Sequence, residues 1–118
     1  MLDNLPQLSP SQKPFAQDPA GLWNWKLDSP ERITLLDVMR NAKPTVLIGA
    51  SGQAGAFGEV VIREMARHTE RPIIFPLSNP TSRCEATPAD LVNWTESRAI
   101  IGPGSPYPPV SWNGTEVP

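Results

Sequence analysis

Three short apolar runs, each passing into a loop of small and polar residues, organise this chain. They read Thr45-Val46-Leu47-Ile48-Gly49, Ile73-Ile74-Phe75-Pro76-Leu77 and Ala99-Ile100-Ile101-Gly102. The first is continuously apolar rather than alternating, which predicts a strand buried on both faces of a parallel sheet. Helical patterns lie between the runs. Thr34-Leu35-Leu36-Asp37 has the spacing of a capping box, with Ser29-Pro30-Glu31 as an alternative start, and Leu35, Leu36, Val38 and Met39 supply an apolar face up to about Asn41 before Pro44. Over 58–68, Val61, Ile62, Met65 and Ala66 share one side while Arg63, Glu64 and Arg67 face water, and Glu59 and Arg63 stand at i,i+4. A third helix is predicted from Thr87 as N-cap, Pro88 at its first position and Asp90 three after the cap, ending near Trp94.

The order is helix, strand, helix, strand, helix, strand, with about 25–28 residues from strand to strand, the rhythm of right-handed crossovers in a parallel sheet. The fold class is therefore α/β, with about three strands and flanking helices. Three strands leave two open edges, which a native domain normally covers. Residues 1–28 carry Pro6, Pro10, Pro14 and Pro19 and keep no period, so they read as an extended arm or linker with Phe15, Leu22, Trp23 and Trp25 as anchors. Residues 29–110 form the partial domain. The stretch after Pro103 is rich in Pro, Gly and Ser and looks unfinished, and 111–118 reads as a truncated tail.

Composition narrows this picture at a few points. At 118 residues the chain is one domain at most. A net charge of −2 gives no electrostatic footprint for nucleic acid. A single cysteine, Cys84, excludes an internal disulfide and suggests a reducing compartment. No apolar run approaches the roughly 20 residues of a membrane span, and Met1-Leu2-Asp3-Asn4-Leu5-Pro6 lacks the regions of a signal peptide. The expectation is a cytoplasmic protein with neither nucleic acid nor membrane as partner.

The loops after the strands are Gly49-Ala50-Ser51-Gly52-Gln53-Ala54-Gly55, Ser78-Asn79-Pro80-Thr81-Ser82 and Gly104-Ser105-Pro106-Tyr107. Backbone-permissive loops at strand ends are what a parallel sheet needs to hold a ligand at its carboxyl edge. Gly49-x-x-Gly52-x-x-Gly55 follows a strand and precedes a helix, the context of a phosphate-binding turn. It is not Gly-x-Gly-x-x-Gly, nor a Walker A loop, nor a nucleophile elbow around Ser51, since Gln53 occupies the position of the second glycine. A tight strand-to-helix turn explains it equally well. Asn79 offers a donor and an acceptor at a strand end, and a ligand contact and a loop-closing Asx-turn both remain open. His68 reads as a helix C-terminal cap, Cys84 as an unreactive thiol, and Glu85, Asp90 and Glu96 as solvated or capping acids. No carboxylates or histidines have metal-ligand spacing, and no catalytic constellation is complete.

Taken together, these residues resemble a known family. Lys43-Pro44-Thr45-Val46-Leu47-Ile48-Gly49, Ser51-Gly52-Gln53, Gly55-Ala56-Phe57, Arg63-Glu64-Met65 and Arg71-Pro72-Ile73-Ile74-Phe75-Pro76-Leu77-Ser78-Asn79-Pro80-Thr81-Ser82 resemble the middle of the NAD-binding domain of malic enzymes. The likeness continues through Glu85-Ala86-Thr87-Pro88, Trp94-Thr95, Gly104-Ser105-Pro106-Tyr107 and Pro109-Val110, and earlier in Leu8-Ser9 and Lys13-Pro14-Phe15-Ala16. It implies a partial Rossmann-like sheet and an enzyme that oxidatively decarboxylates malate to pyruvate and carbon dioxide, with NAD or NADP and a divalent Mg or Mn ion. By the resemblance, Ser51 and Gly52 lie along the cofactor, Ser78 and Asn79 belong to the cofactor site, and Asn79 also reaches the substrate. The family's lysine base, tyrosine acid, acidic metal ligands and dinucleotide fingerprint have no match in this chain. Gly58 stands where the family usually has a capping threonine, and Gly102-Pro103 replaces an Ala-Thr pair.

The expectation is a malic-enzyme fragment, inactive by itself, whose partners are NAD(P), malate and the remainder of the enzyme or a homologue. The alternatives are a non-catalytic interaction module and a stand-alone nucleotide-binding protein.

Overall fold

Local chemistry fixes where each element starts. In this computed structural model, which describes residues 8–117, helix α1 (Leu35–Ala42) begins at the capping box. The Thr34 hydroxyl accepts the Asp37 N–H at 3.2 Å, and the Asp37 carboxylate accepts the Thr34 N–H at 2.8 Å, so two otherwise orphaned donors are satisfied. The alternative start at Ser29 forms only a bridge to Arg32. Lys43, at φ 48°, and Pro44 end the helix.

Strands β1 (Val46–Gly49), β2 (Ile73–Pro76) and β3 (Ile100–Ile101) form a parallel sheet in the order β1-β2-β3, with Val46 opposite Ile73 and Ile73 opposite Ile100. Helix α2 (Glu59–His68) and helix α3 (Pro88–Trp94) are the crossovers. The Thr87 cap of α3 forms as expected, accepting the Asp90 N–H, and Glu59 pairs with Arg63 at 2.7 Å. The expected α/β architecture, a small Rossmann-like parallel sheet flanked by helices, is what the chain adopts.

Leu47 and Ile74 point into a core shared with Met39 of α1, Ile62 and Met65 of α2, Leu91 of α3, and Phe57 and Ala86. The opposite face of the sheet is bare: Val46, Ile48 and Ile100 are 43%, 60% and 42% exposed. The expectation that β1 is buried on both faces is therefore corrected. The strands run across the sheet in chain order, so successive right-handed crossovers place α2 and α3 on the same side. Helix α1 packs beside α2 in that layer.

The sequence after Pro103 also holds more structure than expected. Strands β4 (Val110–Trp112) and β5 (Thr115–Val117) form an antiparallel hairpin that packs on α3. Its turn is Asn113-Gly114, both with positive φ (48° and 79°), the combination a type I′ hairpin turn requires.

Of the arm, residues 1–7 lie outside the described residues, Pro6 among them, as does Pro118. The rest holds short 3₁₀ turns at Lys13–Phe15 and Pro19–Leu22, and its end is fastened to α1. The Lys26 N–H donates to Asn41 Oδ1 and the Asn41 amide donates back to the Lys26 carbonyl, both at 2.9 Å, while Arg40 pairs with Asp28. Among the described residues Phe15 and Trp23 anchor nothing, at 76% and 85% exposed, whereas Leu22 and Trp25 are partly covered.

Candidate functional site

The three strands end on one edge, and the loops that leave them are tied together there by side chains. The Gly52 N–H donates to Ser78 Oγ at 2.9 Å, joining the loop after β1 to the loop after β2. The Ser105 hydroxyl donates to Asn79 Oδ1, joining the second loop to the third. The Gly104 N–H reaches the Pro76 carbonyl at 3.2 Å, and a Cβ at Gly104 would collide with the Leu77 backbone, so only glycine allows this approach.

Beneath the edge lies Glu85, fully buried. Its Oε1 accepts the Ser51 N–H and the Ser51 hydroxyl, each at 2.8 Å, and the Ser78 hydroxyl at 2.5 Å; its Oε2 accepts the Ser78 N–H at 3.4 Å. The expectation that Glu85 is a solvated or capping acid is thus corrected, whereas Asp90 does take part in the α3 cap, its carboxylate accepting the Thr87 hydroxyl at 2.7 Å. Gly49 makes room for it: a Cβ there would stand 2.6 Å from Glu85 Cδ and 2.7 Å from Phe57 Cζ. Backbone bonds from Gly55 to the Cys84 carbonyl and from Phe57 to the Glu85 carbonyl hold this segment against the glycine loop.

Burial by itself would push the Glu85 carboxyl up, but the Ser78 hydroxyl and the Ser51 N–H and hydroxyl outweigh it and hold the pKa down at about 2. Near neutral pH this group is an ionised, saturated acceptor and not a proton donor. Asn79 differs. It is exposed; its amide donates to the Leu77 carbonyl at 3.4 Å, and its oxygen takes the Ser105 hydroxyl in place of a backbone N–H two residues on. One N–H and one lone pair of the carboxamide remain for a ligand.

The glycine loop presents bare backbone on the same edge. Gly52 and Gly55 adopt φ of 65° and 71°, and among the described residues, chain neighbours aside, no heavy atom lies within 4 Å of where a Cβ would stand. Helix α2 begins only at Glu59, with Gly58 supplying no side-chain cap, so the glycine loop and the helix start are separate features. Ser51 and Ser78 thus converge on one carboxylate, Gly52 is tied to it through Ser78, and Asn79 stands beside them facing out.

Other candidates fall elsewhere. His68 pairs with Glu64 at 3.0 Å on the flank of α2. Cys84 is buried, its thiol donating to the Ala86 carbonyl at 3.1 Å. Among the described residues the neighbouring Tyr107 hydroxyl has no hydrogen-bond partner of ordinary geometry, and the Cys84 sulfur beside it, with burial, pushes its pKa up to about 12. Among the described residues no three His, Cys, Asp or Glu side chains gather as metal ligands, and no helix is long and apolar enough to cross a membrane.

Comparison with known proteins gives a family. The family described as "Malic enzyme, NAD binding domain" matches the chain over residues 1–118. The chain belongs to that family. It is 52% identical over 118 residues to the NAD-dependent malic enzyme of Photorhabdus laumondii, covering all of this chain and 21% of that protein. Against the NAD-dependent malic enzyme of Shewanella sp. strain ANA-3 it is 55% identical over 114 residues, 97% of this chain and 20% of that protein. A relative of the same description from Shewanella loihica is 56% identical over 108 residues, 92% of this chain and 19% of that protein. The chain therefore spans about a fifth of the length of the curated relatives it matches.

Proposed function

We propose that this chain supplies one wall of the dinucleotide site of a malic enzyme, which oxidatively decarboxylates malate to pyruvate and carbon dioxide with NAD or NADP. The observation that carries this reading is the sheet edge itself, where bare glycine backbone and an outward carboxamide are held in one frame. Ser51 and Gly52 lie along the cofactor, Ser78 sets the second loop beside them, and Asn79 meets the nicotinamide and the substrate. The open surface at Gly52 and Gly55 leaves room for such a ligand. When bound, the dinucleotide supplies the hydride acceptor. The chain's own part is to bind and orient it, since its one buried carboxylate at the edge is saturated with donors. The described residues do not fit a Mg or Mn site, so no step is assigned to a metal held by this chain.

Hydride transfer from malate needs a base as well as the cofactor, and the residues at this edge offer none. By itself the chain is expected to turn over no malate. Mixed with a polypeptide carrying the remaining malic-enzyme segments, it is expected to restore activity. The uncovered apolar face of the sheet favours such joining, to the remainder of the enzyme or to a homologue, over work as a solitary module. A cytoplasmic setting belongs to the same reading and rests on a lone, buried thiol.

The test is a titration of the 118-residue chain with NAD, followed by amide chemical shifts. Shifts confined to Ser51, Gly52, Ser78 and Asn79, and abolished by Asn79→Ala together with Gly52→Val, support the assignment. Saturable NAD binding that leaves those four amides unmoved, or malate-dependent NADH production by this chain alone, refutes it.

A further inference from the structure

We propose that Glu85 is the positioning residue of this edge: its buried carboxylate sets the cofactor loop at Ser51 and Gly52 against the loop at Ser78 and Asn79. The inference rests on the reading of that edge as the dinucleotide site and adds a residue to it. The geometry is specific. A single oxygen, Oε1, gathers donors from 34 and 7 residues earlier in the chain, and Ser78 passes the constraint on by accepting the Gly52 N–H. Asn79 follows Ser78 directly, so the carboxylate also fixes where the outward carboxamide starts. Glu85 touches neither the outer surface of the glycine loop nor the open side of Asn79, and acts only through Ser51 and Ser78.

A role in filling the core does not account for this arrangement. Removing an ion from water costs several kcal/mol, and an apolar side chain of similar volume fills a core at least as well. An apolar residue at this position would leave the Ser51 and Ser78 donors unmatched. Glutamine has the right shape but the wrong chemistry. Its one acceptor oxygen would serve three donors without charge, and its NH₂ would face the Ser78 N–H. Aspartate keeps the charge but is one methylene short of bridging both serines. Gly49, which any side chain would turn into an obstruction, leaves the space the carboxylate occupies.

The experiment compares amide exchange and NAD affinity in the 118-residue chain and in its Glu85→Gln and Glu85→Asp variants. The Ser51 and Gly52 N–H groups are expected to lose about tenfold or more of their protection in E85Q, while the β2 amides keep theirs. NAD affinity is expected to fall by about the same factor, with E85D in between. A residue that merely stabilised the fold would move β2 and the loops together. Full protection of Ser51 and Gly52 in E85Q, or loss only in step with β2, overturns the proposal.

Should E85Q not fold, Ser78→Ala decides. It is expected to free the Gly52 N–H and leave the Ser51 N–H held by Glu85; release of both or of neither counts against the clamp. If the unsubstituted chain binds no NAD, the dinucleotide reading fails for this chain, and the exchange pattern alone still decides whether Glu85 sets the loops.

Discussion

A buried carboxylate that accepts several hydrogen bonds stabilises the fold only while it stays ionised. Glu85 has an ordinary value of 4.5 and a folded value of about 2. With the folded pKa depressed, the unfolded chain binds the proton more readily. The contribution of Glu85 is therefore fully present above about pH 4.5 and is lost progressively as the pH falls towards 2. Its upper bound is about 3 kcal/mol, reduced because water at the exposed Ser51 screens the site. Asp37, whose pKa is lowered first by the Thr34 N–H bond against the opposing effect of burial, adds a loss of the same sign. Urea unfolding midpoints measured from pH 7 down to pH 3 are expected to fall in the parent chain and to fall less steeply in E85Q. Parallel curves would mean that folding does not lower the pKa of this carboxyl. This residue was the hardest to read from sequence. Its neighbours Cys84 and Ala86 say only that the segment is buried, while the partners that define it, Ser51 and Ser78, come from other loops. The placing of Ser51, Gly52 and Asn79 just beyond strand ends was legible because a strand end followed by small residues is a local pattern.

At the scale of elements, the legible parts are those whose chemistry lies within four residues. Thr34 with Asp37 and Thr87 with Asp90 each mark a helix start, since the hydroxyl and the amide it serves are close in sequence. The hairpin escaped despite its Asn-Gly turn. Its strands are only three residues long, and Ser111, Thr115 and Glu116 dilute the apolar alternation. Helix α2 carries the reverse lesson, an element that forms although its start is weak. Gly58 has an extended backbone (φ −67°, ψ 163°) that any residue adopts, and a Cβ there would meet only the Gly55 carbonyl oxygen at 4.0 Å. A threonine should fit without strain and accept one of the free N–H groups of the first turn. Gly58→Thr is expected to stabilise the chain by about 0.3–1 kcal/mol, read as a rise in thermal midpoint of about 1–4 °C. A lower midpoint would mean that the loop ahead of α2 needs the freedom of glycine.

For the whole molecule, the decisive fact is that one layer of helices covers one face of the sheet. The radius of gyration, 15.6 Å, exceeds the roughly 13–14 Å of a compact domain of this length, consistent with an arm fastened only near its end. Continuous apolar runs such as Val46-Leu47-Ile48 suit strands covered on both faces, yet in this chain neighbouring residues of one strand meet opposite environments. Leu47 lies in the core beside Ile62 and Ile74, while Ile48, the next residue, is exposed. The runs could not reveal this, because both residues are apolar and only the handedness of the crossovers decides which face the helices take. Truncating each in turn separates the two faces. Leu47→Ala is expected to cost about 2–4 kcal/mol, enough to unfold much of a marginal domain, through a cavity the helices cannot close. Ile48→Ala is expected to cost less than about 0.5 kcal/mol, because its side chain is already in water. Urea denaturation of the two variants in the isolated chain reads the difference directly. Equal losses would show that the second face is covered in solution, whereas the expected asymmetry leaves it free to take on another layer.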